Sequence, residues 1–183
     1  MDALELLLTR SSQPRLQGPA PSQHALENIM QAALRVPDHA GLNPWRFIVC
    51  HKAGLKRLGE LFEQAAIIDD MDEKQIARAP QLPQRAPMVI VAIAKYKEHE
   101  KVPWIEQVAS ASCAVSAMQM AALAQGYAGV WRTGSYAQSE VVKQAFELNE
   151  QDEIVGFLYL GTSQLKSALK PAKQSKDFFE FWQ

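Results

Sequence analysis

The chain has 183 residues, 48% of them apolar, and a formal net charge of −1. This length suits a single domain spanning 1–183, or one subunit of a compact oligomer, with enough apolar side chains to fill a core. The balanced charge argues against a general affinity for nucleic acid or anionic membrane, which requires a basic surplus. Cys50 and Cys113 stand in apolar runs, so we expect two buried free thiols in a cytoplasmic protein rather than a disulfide framework.

The first elements are a short helix and a polar loop. Leu4, Leu7 and Leu8 share one helical face, which predicts an amphipathic helix over Asp2–Thr9. The loop Arg10–Pro21 follows and begins RSSQPR, a run that can present cations and hydroxyl donors to a phosphate. The same residues also suit a solvated connector, so both interpretations stay open. Ser22 is a good N-cap for a helix that reaches Arg35.

An irregular stretch, Val36–Pro44, separates this helix from the first predicted strand, Trp45–Cys50. Its prolines and glycine prevent regular structure, and loops this rich in special residues are often positioned for a function. His39 suits an ordinary loop histidine as well as a functional group.

The middle of the chain predicts two helices and a buried strand. Leucine and phenylalanine at helical spacing predict a helix over Ala53–Ile68, and a more polar helix follows over Asp72–Arg78. Met88–Ala94 is a continuous apolar run, typical of a strand that is covered on both faces.

The longest stretch without a charged side chain runs from Gln107 to Trp131. It is apolar or small all the way round, which predicts a buried central helix that ends at Gly126. A membrane span is the alternative, but glutamines and serines interrupt the run and no second apolar span exists. Tyr127–Thr133 is then a short buried segment that emerges at Arg132.

The last third predicts a helix from a Ser139 cap to Phe146 and a buried strand over Ile154–Leu160. The tail, Gln164–Gln183, carries Lys166, Lys170 and Lys173 at helical spacing and ends in FFEFW. Such an aromatic end needs a surface to cover, either its own core or a second subunit. Strands and helices alternate along the chain, which indicates a layered α/β or α+β fold with helices on both faces of the sheet.

Several common site signatures are absent from the sequence. There is no G-x-S-x-G, no G-x-G-x-x-G and no G-x-x-x-x-G-K-[ST]. The four histidines have no spacing that would place two metal ligands on one helical face, so we expect no metal site. We therefore do not expect a dinucleotide held tightly in a Rossmann site.

Four segments together resemble the nitroreductase family of flavoproteins, in its short, minimal subgroup. They are LLLTRSSQPRL, RVPDHAGLNPWRF, the central helix with its exit GYAGVWRTG, and IVGFLYLGT. Each is weak alone, but their order and spacing cover nearly the whole chain.

The resemblance implies an α+β sandwich with a central mixed sheet, in which two subunits interlock as a homodimer and build FMN sites across their interface. It implies noncovalent FMN, reduction by NADH or NADPH, and two-electron reduction of nitroaromatics, quinones or related acceptors. The alternative function is an FMN-binding storage or carrier protein with little turnover, which the short chain suggests because little is left to form a substrate lid.

The resemblance also implies site residues. Three matched groups place the cofactor: Arg10, Ser11 and Ser12 at its phosphate and ribityl end, Arg35 and His39 from the irregular loop, and Trp131, Arg132 and Thr133 beside the ring. Ser11 stands where a second arginine is common, so Arg15 or a tail lysine compensates or FMN binds more weakly. No catalytic side chain is implied.

The last turn of the central helix is the position that the resemblance suggests for the nicotinamide nucleotide. Its residues are Ala121, Ala122, Leu123, Ala124, Gln125 and Gly126. Plain core packing explains this turn equally well.

Overall fold

The structure is a computed structural model, and it describes residues 2–163 and 171–182. The helices are α1 (Ala3–Thr9), α2 (Gln23–Ala33), α3 (Ala53–Ile68), α4 (Glu73–Arg78), α5 (Trp104–Ala124) and α6 (Glu140–Ala145). The strands are β1 (Leu16–Gln17), β2 (Trp45–His51), β3 (Met88–Ala94), β4 (Ala128–Arg132) and β5 (Glu153–Ser163).

The strands form one sheet in which β2, β3, β5 and β4 lie side by side, and β1 pairs with the end of β5. All pairings between the described strands are antiparallel, so the parallel pair of a mixed sheet does not occur among them. The predicted α+β class is confirmed. Strands β4 and β2 are on opposite edges, three strand spacings or about 14 Å apart.

Helices cover both faces of the sheet, as the continuous apolar pattern of β3 predicts. Every residue of β3 is buried. Val89, Val91 and Ile93 pack with α3 in one cluster, whereas Ile90 and Ala92 pack with α2 and α5 in another. Because successive strand side chains point to opposite faces, β3 contributes to both halves of the core.

Most predicted boundaries lie close to the observed ones. Helix α3 and strand β3 have the predicted bounds, and a capping box at Asp72 begins α4. Helix α2 ends at Ala33 rather than Arg35, and α5 begins at Trp104. Ser139 precedes α6, but its buried hydroxyl makes no capping hydrogen bond.

Two predictions about the central helix are wrong. Helix α5 is not buried all round, because Ala109, Cys113 and Ser116 lie exposed along one side, and Cys113 is therefore not a buried thiol. We call these three residues the small-residue strip of α5. The helix is long and apolar enough to cross a membrane by length and composition, and 44% of the relevant window is buried within the fold.

Part of the predicted C-terminal tail, including Lys166 and Lys170, lies outside the described residues. In the described part, Phe178, Phe179, Phe181 and Trp182 are 67–95% exposed. These aromatic side chains therefore do not pack on the core of their own chain.

Ser22 tests the contribution of a cap to α2. Its hydroxyl accepts a hydrogen bond from the Ala25 N–H at 3.2 Å, which satisfies one of the free donors of the first helical turn. We expect Ser22→Ala to lower the free energy of unfolding by about 1 kcal/mol in urea titrations. Ser139→Ala is the matched control, because Ser139 makes no such bond, and an equal loss in both variants would contradict the capping role.

Candidate functional site

The loop after α1 places a cation and hydroxyl groups beside the start of β4. Arg10 is half-buried, and its Nη1 donates to Ser12 Oγ at 3.5 Å. Ser11 is buried and its hydroxyl accepts from Gln13 Nε2 at 3.1 Å. The Gln13 N–H donates to the Gly129 carbonyl at 3.0 Å and so fixes the loop to β4. In the described part of the chain, Arg10 has no carboxylate partner.

Among the described strands, β4 pairs with β5 alone, along one of its edges. On its other edge, the Gly129 carbonyl accepts from Gln13 and from Gln119 Nε2 at 3.0 Å. Because alternate residues of an antiparallel strand direct their backbone groups to the same edge, Trp131 presents its N–H and C=O groups there, and Thr133 follows directly after the strand. Within the described ranges these groups have no backbone partner on that edge.

The side chain of Trp131 is committed to the fold. Its indole N–H donates to the Val155 carbonyl at 2.9 Å. The ring occupies the space beside Gly156, where an added Cβ would overlap it. The main chain of Trp131, rather than its indole, is therefore the part available to a ligand.

Arg35 and His39 lie in the loop that leads into β2. Arg35 is exposed just after α2. His39 Nδ1 is 2.9 Å from Glu106 Oε2 in the first turn of α5, and the two side chains are 56% and 48% exposed. Ser110 Oγ donates to the Pro37 carbonyl at 2.7 Å and ties the loop to α5. A carboxylate thus orients the His39 ring.

The structure does not bring all the predicted cofactor residues together in one chain. Arg10–Ser12 and Trp131–Thr133 lie at the β4 edge, whereas the His39 loop leads into β2, the opposite edge strand. The cavity beside His39 has a volume of about 220 Å³ and is lined by this loop and α5, without any residue of the β4 group. The predicted residues therefore fall into two groups, which we call the half-sites of the predicted FMN site.

The last turn of α5 has a clear packing role. Gln125 Nε2 donates to the Ala25 carbonyl at 3.2 Å, and its Oε1 accepts from Asn28 Nδ2 at 2.9 Å. These bonds join α5 to α2. Gly126 has φ +84° and ends the helix as predicted. Ala122 in this turn is buried. The binding of the nicotinamide nucleotide by this turn stays a prediction.

Three residues that position the half-sites were missed by sequence reasoning: Gln13, Glu106 and Gln119. Gln119 is 4% exposed within an apolar helix. A buried amide requires a hydrogen-bond partner, so its presence in this run was a usable signal. Nothing in the local sequence pairs Gln13 with Gly129 or Glu106 with His39. Among the described residues, no group of three or more histidine, cysteine or acidic side chains could hold a metal ion.

Comparison with known proteins defines the class to which this fold and these half-sites belong. The nitroreductase family pattern matches residues 7–162. The chain belongs to the nitroreductase family.

Particular relatives agree with this assignment. The chain is 52% identical over 168 residues to the Escherichia coli (strain K12) protein named "Putative NAD(P)H nitroreductase YdjA", covering 92% of each. Its fold is similar to a nitroreductase-like family protein from Bacillus cereus, with a TM-score of 0.86, 19% identity and coverage of 100% and 96% of the two chains. A nitroreductase with bound FMN from Bacteroides fragilis has a TM-score of 0.73, 21% identity and 98% coverage of each chain.

Proposed function

We propose that the protein is an FMN-dependent NAD(P)H oxidoreductase that reduces nitroaromatics, quinones or related acceptors by two electrons in alternating half-reactions. The observation that carries this proposal is the outer edge of β4 at Trp131, which has no backbone partner among the described residues and continues from Gly129, where the Arg10–Ser12 loop is attached through Gln13. The YdjA name supports NADH or NADPH as electron donor, and the Bacteroides fragilis structure supports FMN.

The donor set at the loop fits the phosphate end of FMN. A dianionic phosphate needs charge-assisted hydrogen bonds, and the Arg10 guanidinium beside the Ser12 hydroxyl provides both a charge and a second donor. Ser11 contributes a hydroxyl that is already engaged with Gln13. Arg10 is then the main cation of this site among the described residues. Arg15, the next arginine in the same loop, is exposed.

The free edge of β4 fits the polar rim of a flavin ring. When bound, FMN supplies the hydride chemistry, and the protein supplies binding, orientation and polarity. The backbone groups of Trp131 and Thr133 hydrogen-bond the ring in this proposal, on a strand held rigid by β5. Hydride transfer needs reacting atoms about 3–3.5 Å apart, so orientation suffices and no ionisable side chain is assigned a catalytic role.

The two half-sites support a homodimer. Because the loop with Arg35 and His39 leads into β2, the edge strand opposite β4, we assign these two residues to the FMN that binds at the β4 edge of a second copy. Leu4, Leu7 and Leu8 are 61–83% exposed, so α1 also leaves its apolar face uncovered. The exposed small-residue strip of α5 would let two backbones approach closely across a twofold axis.

The cytoplasm is the proposed compartment. Cys50 and Cys113 are both free thiols, a state that a reducing compartment maintains.

An absorbance spectrum of the purified protein with added FMN, followed anaerobically by NADH and then NADPH, tests the proposal. We expect bound flavin that either or both nucleotides bleach, with recovery on addition of a quinone or nitroaromatic. Bound flavin that neither nucleotide bleaches would favour a storage or carrier protein. Failure to bind FMN would contradict both functions.

The placement of the phosphate can be tested at Arg10. Charged hydrogen bonds are typically worth about 1.5–3 kcal/mol, so Arg10→Ala should weaken FMN binding by about 10- to 150-fold. Arg15→Ala is the matched control, because Arg15 is exposed and makes no ion pair among the described residues. Fluorescence titration of the apoprotein measures both affinities, and equal losses would show that Arg10 does not hold the phosphate.

A further inference from the structure

Arg132 is a half-buried cation without a counter-charge. Its Nε is buried and has no hydrogen-bond partner in the described ranges. Its guanidinium carbon lies 5.8 Å from the centre of the Tyr159 ring, on the α3 face of the sheet. This face is opposite to the one on which Trp131 packs. A buried polar group with no partner is costly and calls for a bound ion, water or ligand.

Two more arginines lie in this region. Arg78 is close to Tyr136, and Arg85 is close to Tyr159. Arg78 is the last residue of α4, and Arg85 ends the 3-10 turn Pro83–Arg85. Neither guanidinium, nor that of Arg132, makes an ion pair with a carboxylate in the part of the chain that the structure describes. The three guanidinium groups are therefore not engaged by a direct ion pair among the described residues.

Four of the five residues that line the cavity next to Arg78 carry a hydrogen-bonding side-chain group. Its volume is about 170 Å³, and its lining residues are Gln75, Arg78, Leu82, Ser135 and Tyr136. This is several times the roughly 30 Å³ that one water molecule occupies in the liquid, so a small polyatomic ion fits. Tyr136 is fixed there by stacking on Phe62 with ring centres 4.3 Å apart.

Both phenols favour the neutral, donating form. Burial raises the pKa of Tyr159, which the Arg132 and Arg85 charges oppose and Tyr136 reinforces. Burial also raises the pKa of Tyr136, assisted by the exposed carboxylate of Asp69 and opposed by Arg78. At neutral pH the two hydroxyls are protonated donors, and neither has a hydrogen-bond partner among the described residues.

We propose that this cavity binds a small tetrahedral oxyanion of the phosphate class, held by Arg78, Ser135 and Tyr136. Arg132 and Tyr159 do not line the cavity, and Arg132 adds to the positive charge of the region. Guanidinium and hydroxyl donors match phosphate oxygens, and no carboxylate is ion-paired to the three arginines to compete. The residues that line the cavity are different from those assigned to the proposed FMN half-sites, whereas Arg132 belongs to the β4 group and follows Trp131 directly in β4. The phosphate is either a free ion or part of a nucleotide.

The experiment uses the full chain saturated with FMN, so that the proposed flavin phosphate site is filled. Inorganic phosphate and AMP are titrated separately by isothermal calorimetry in a phosphate-free buffer. We expect Arg78→Gln to weaken binding of the preferred probe by about tenfold or more. Tyr136→Phe keeps the stacked ring and removes the hydroxyl, so it should weaken binding by a smaller factor.

Lys74→Gln is the matched control, because it removes a positive charge from the same helix at an exposed position outside the cavity. It should leave binding unchanged. Tighter binding of AMP with the same dependence on Arg78 identifies a nucleotide phosphate, and equal or tighter binding of inorganic phosphate identifies the free ion. Absence of binding by both probes, or an affinity that Arg78→Gln does not change while its melting temperature stays at the parent value, would overturn the proposal.

Discussion

Replacement of Ser116 by glutamate is expected to make the protein monomeric and to abolish FMN binding. Ser116 is exposed at the C-terminal end of the small-residue strip of α5 and is not one of the residues assigned to the two half-sites. In a homodimer that packs this strip against a second copy, two new carboxylates would face each other in a buried interface. Desolvating unpaired charges costs several kcal/mol each, roughly enough to dissociate an interface of ordinary affinity.

Two controls separate loss of the dimer from a general effect of the substitution. Ala77→Glu introduces the same charge at an exposed helical position of α4 and should leave both the mass and the FMN affinity unchanged. Ser116→Ala should also be neutral, because the strip requires small residues rather than the hydroxyl. Light scattering gives the mass and fluorescence titration gives the affinity. A monomeric Ser116→Glu variant that still binds FMN tightly would refute the two-chain site.

The sequence predicted most helices and strands well, because the side chains that determine them are close together along the chain. A continuous apolar run gives β3 the same bounds in sequence and structure, and the Asp72 box and the Gly126 stop place helix ends. These signals depend on side chains within a few residues of one another. Family resemblance then supplied the site residues, since no spacing rule connects Arg10 with Thr133.

What the sequence could not provide was the arrangement of distant residues. The absence of charge around α5 suggested burial on all sides, yet Cys113 is exposed in the single chain. An apolar pattern does not distinguish a face that meets the core from one that meets another copy. Likewise, the eight predicted FMN residues fall into two groups, one at the β4 edge and one in the loop before β2. This division follows from the strand order, which places β4 and β2 on opposite edges of the sheet.

Buried polar contacts were equally invisible in the sequence, and Asp152 is the clearest example. It is 1% exposed, and its carboxylate accepts from Lys95 Nζ and from the N–H groups of Tyr96 and Asn149 at 2.9 and 2.8 Å. These contacts join the end of β3 to the turn before β5. The same segment continues to Lys97, whose backbone N–H and carbonyl bond the Gln107 side chain at 2.9 and 2.7 Å. Asp152 therefore supports the start of α5, where Glu106 holds His39.

Asp152→Ala is expected to lower the free energy of unfolding by about 3–5 kcal/mol, because it leaves a partly buried lysine and two backbone donors without their acceptor. Lys95→Met should cost less, since both backbone N–H groups still hold the carboxylate and the lysine side chain is already 27% exposed. Glu100→Ala is the control: its pair with Lys101 is 3.7 Å long and largely exposed, so its loss should be within about 0.5 kcal/mol. Urea titration measures all three. A loss below about 1 kcal/mol for Asp152→Ala would place the carboxylate among ordinary surface charges and would remove the support proposed for the His39 half-site.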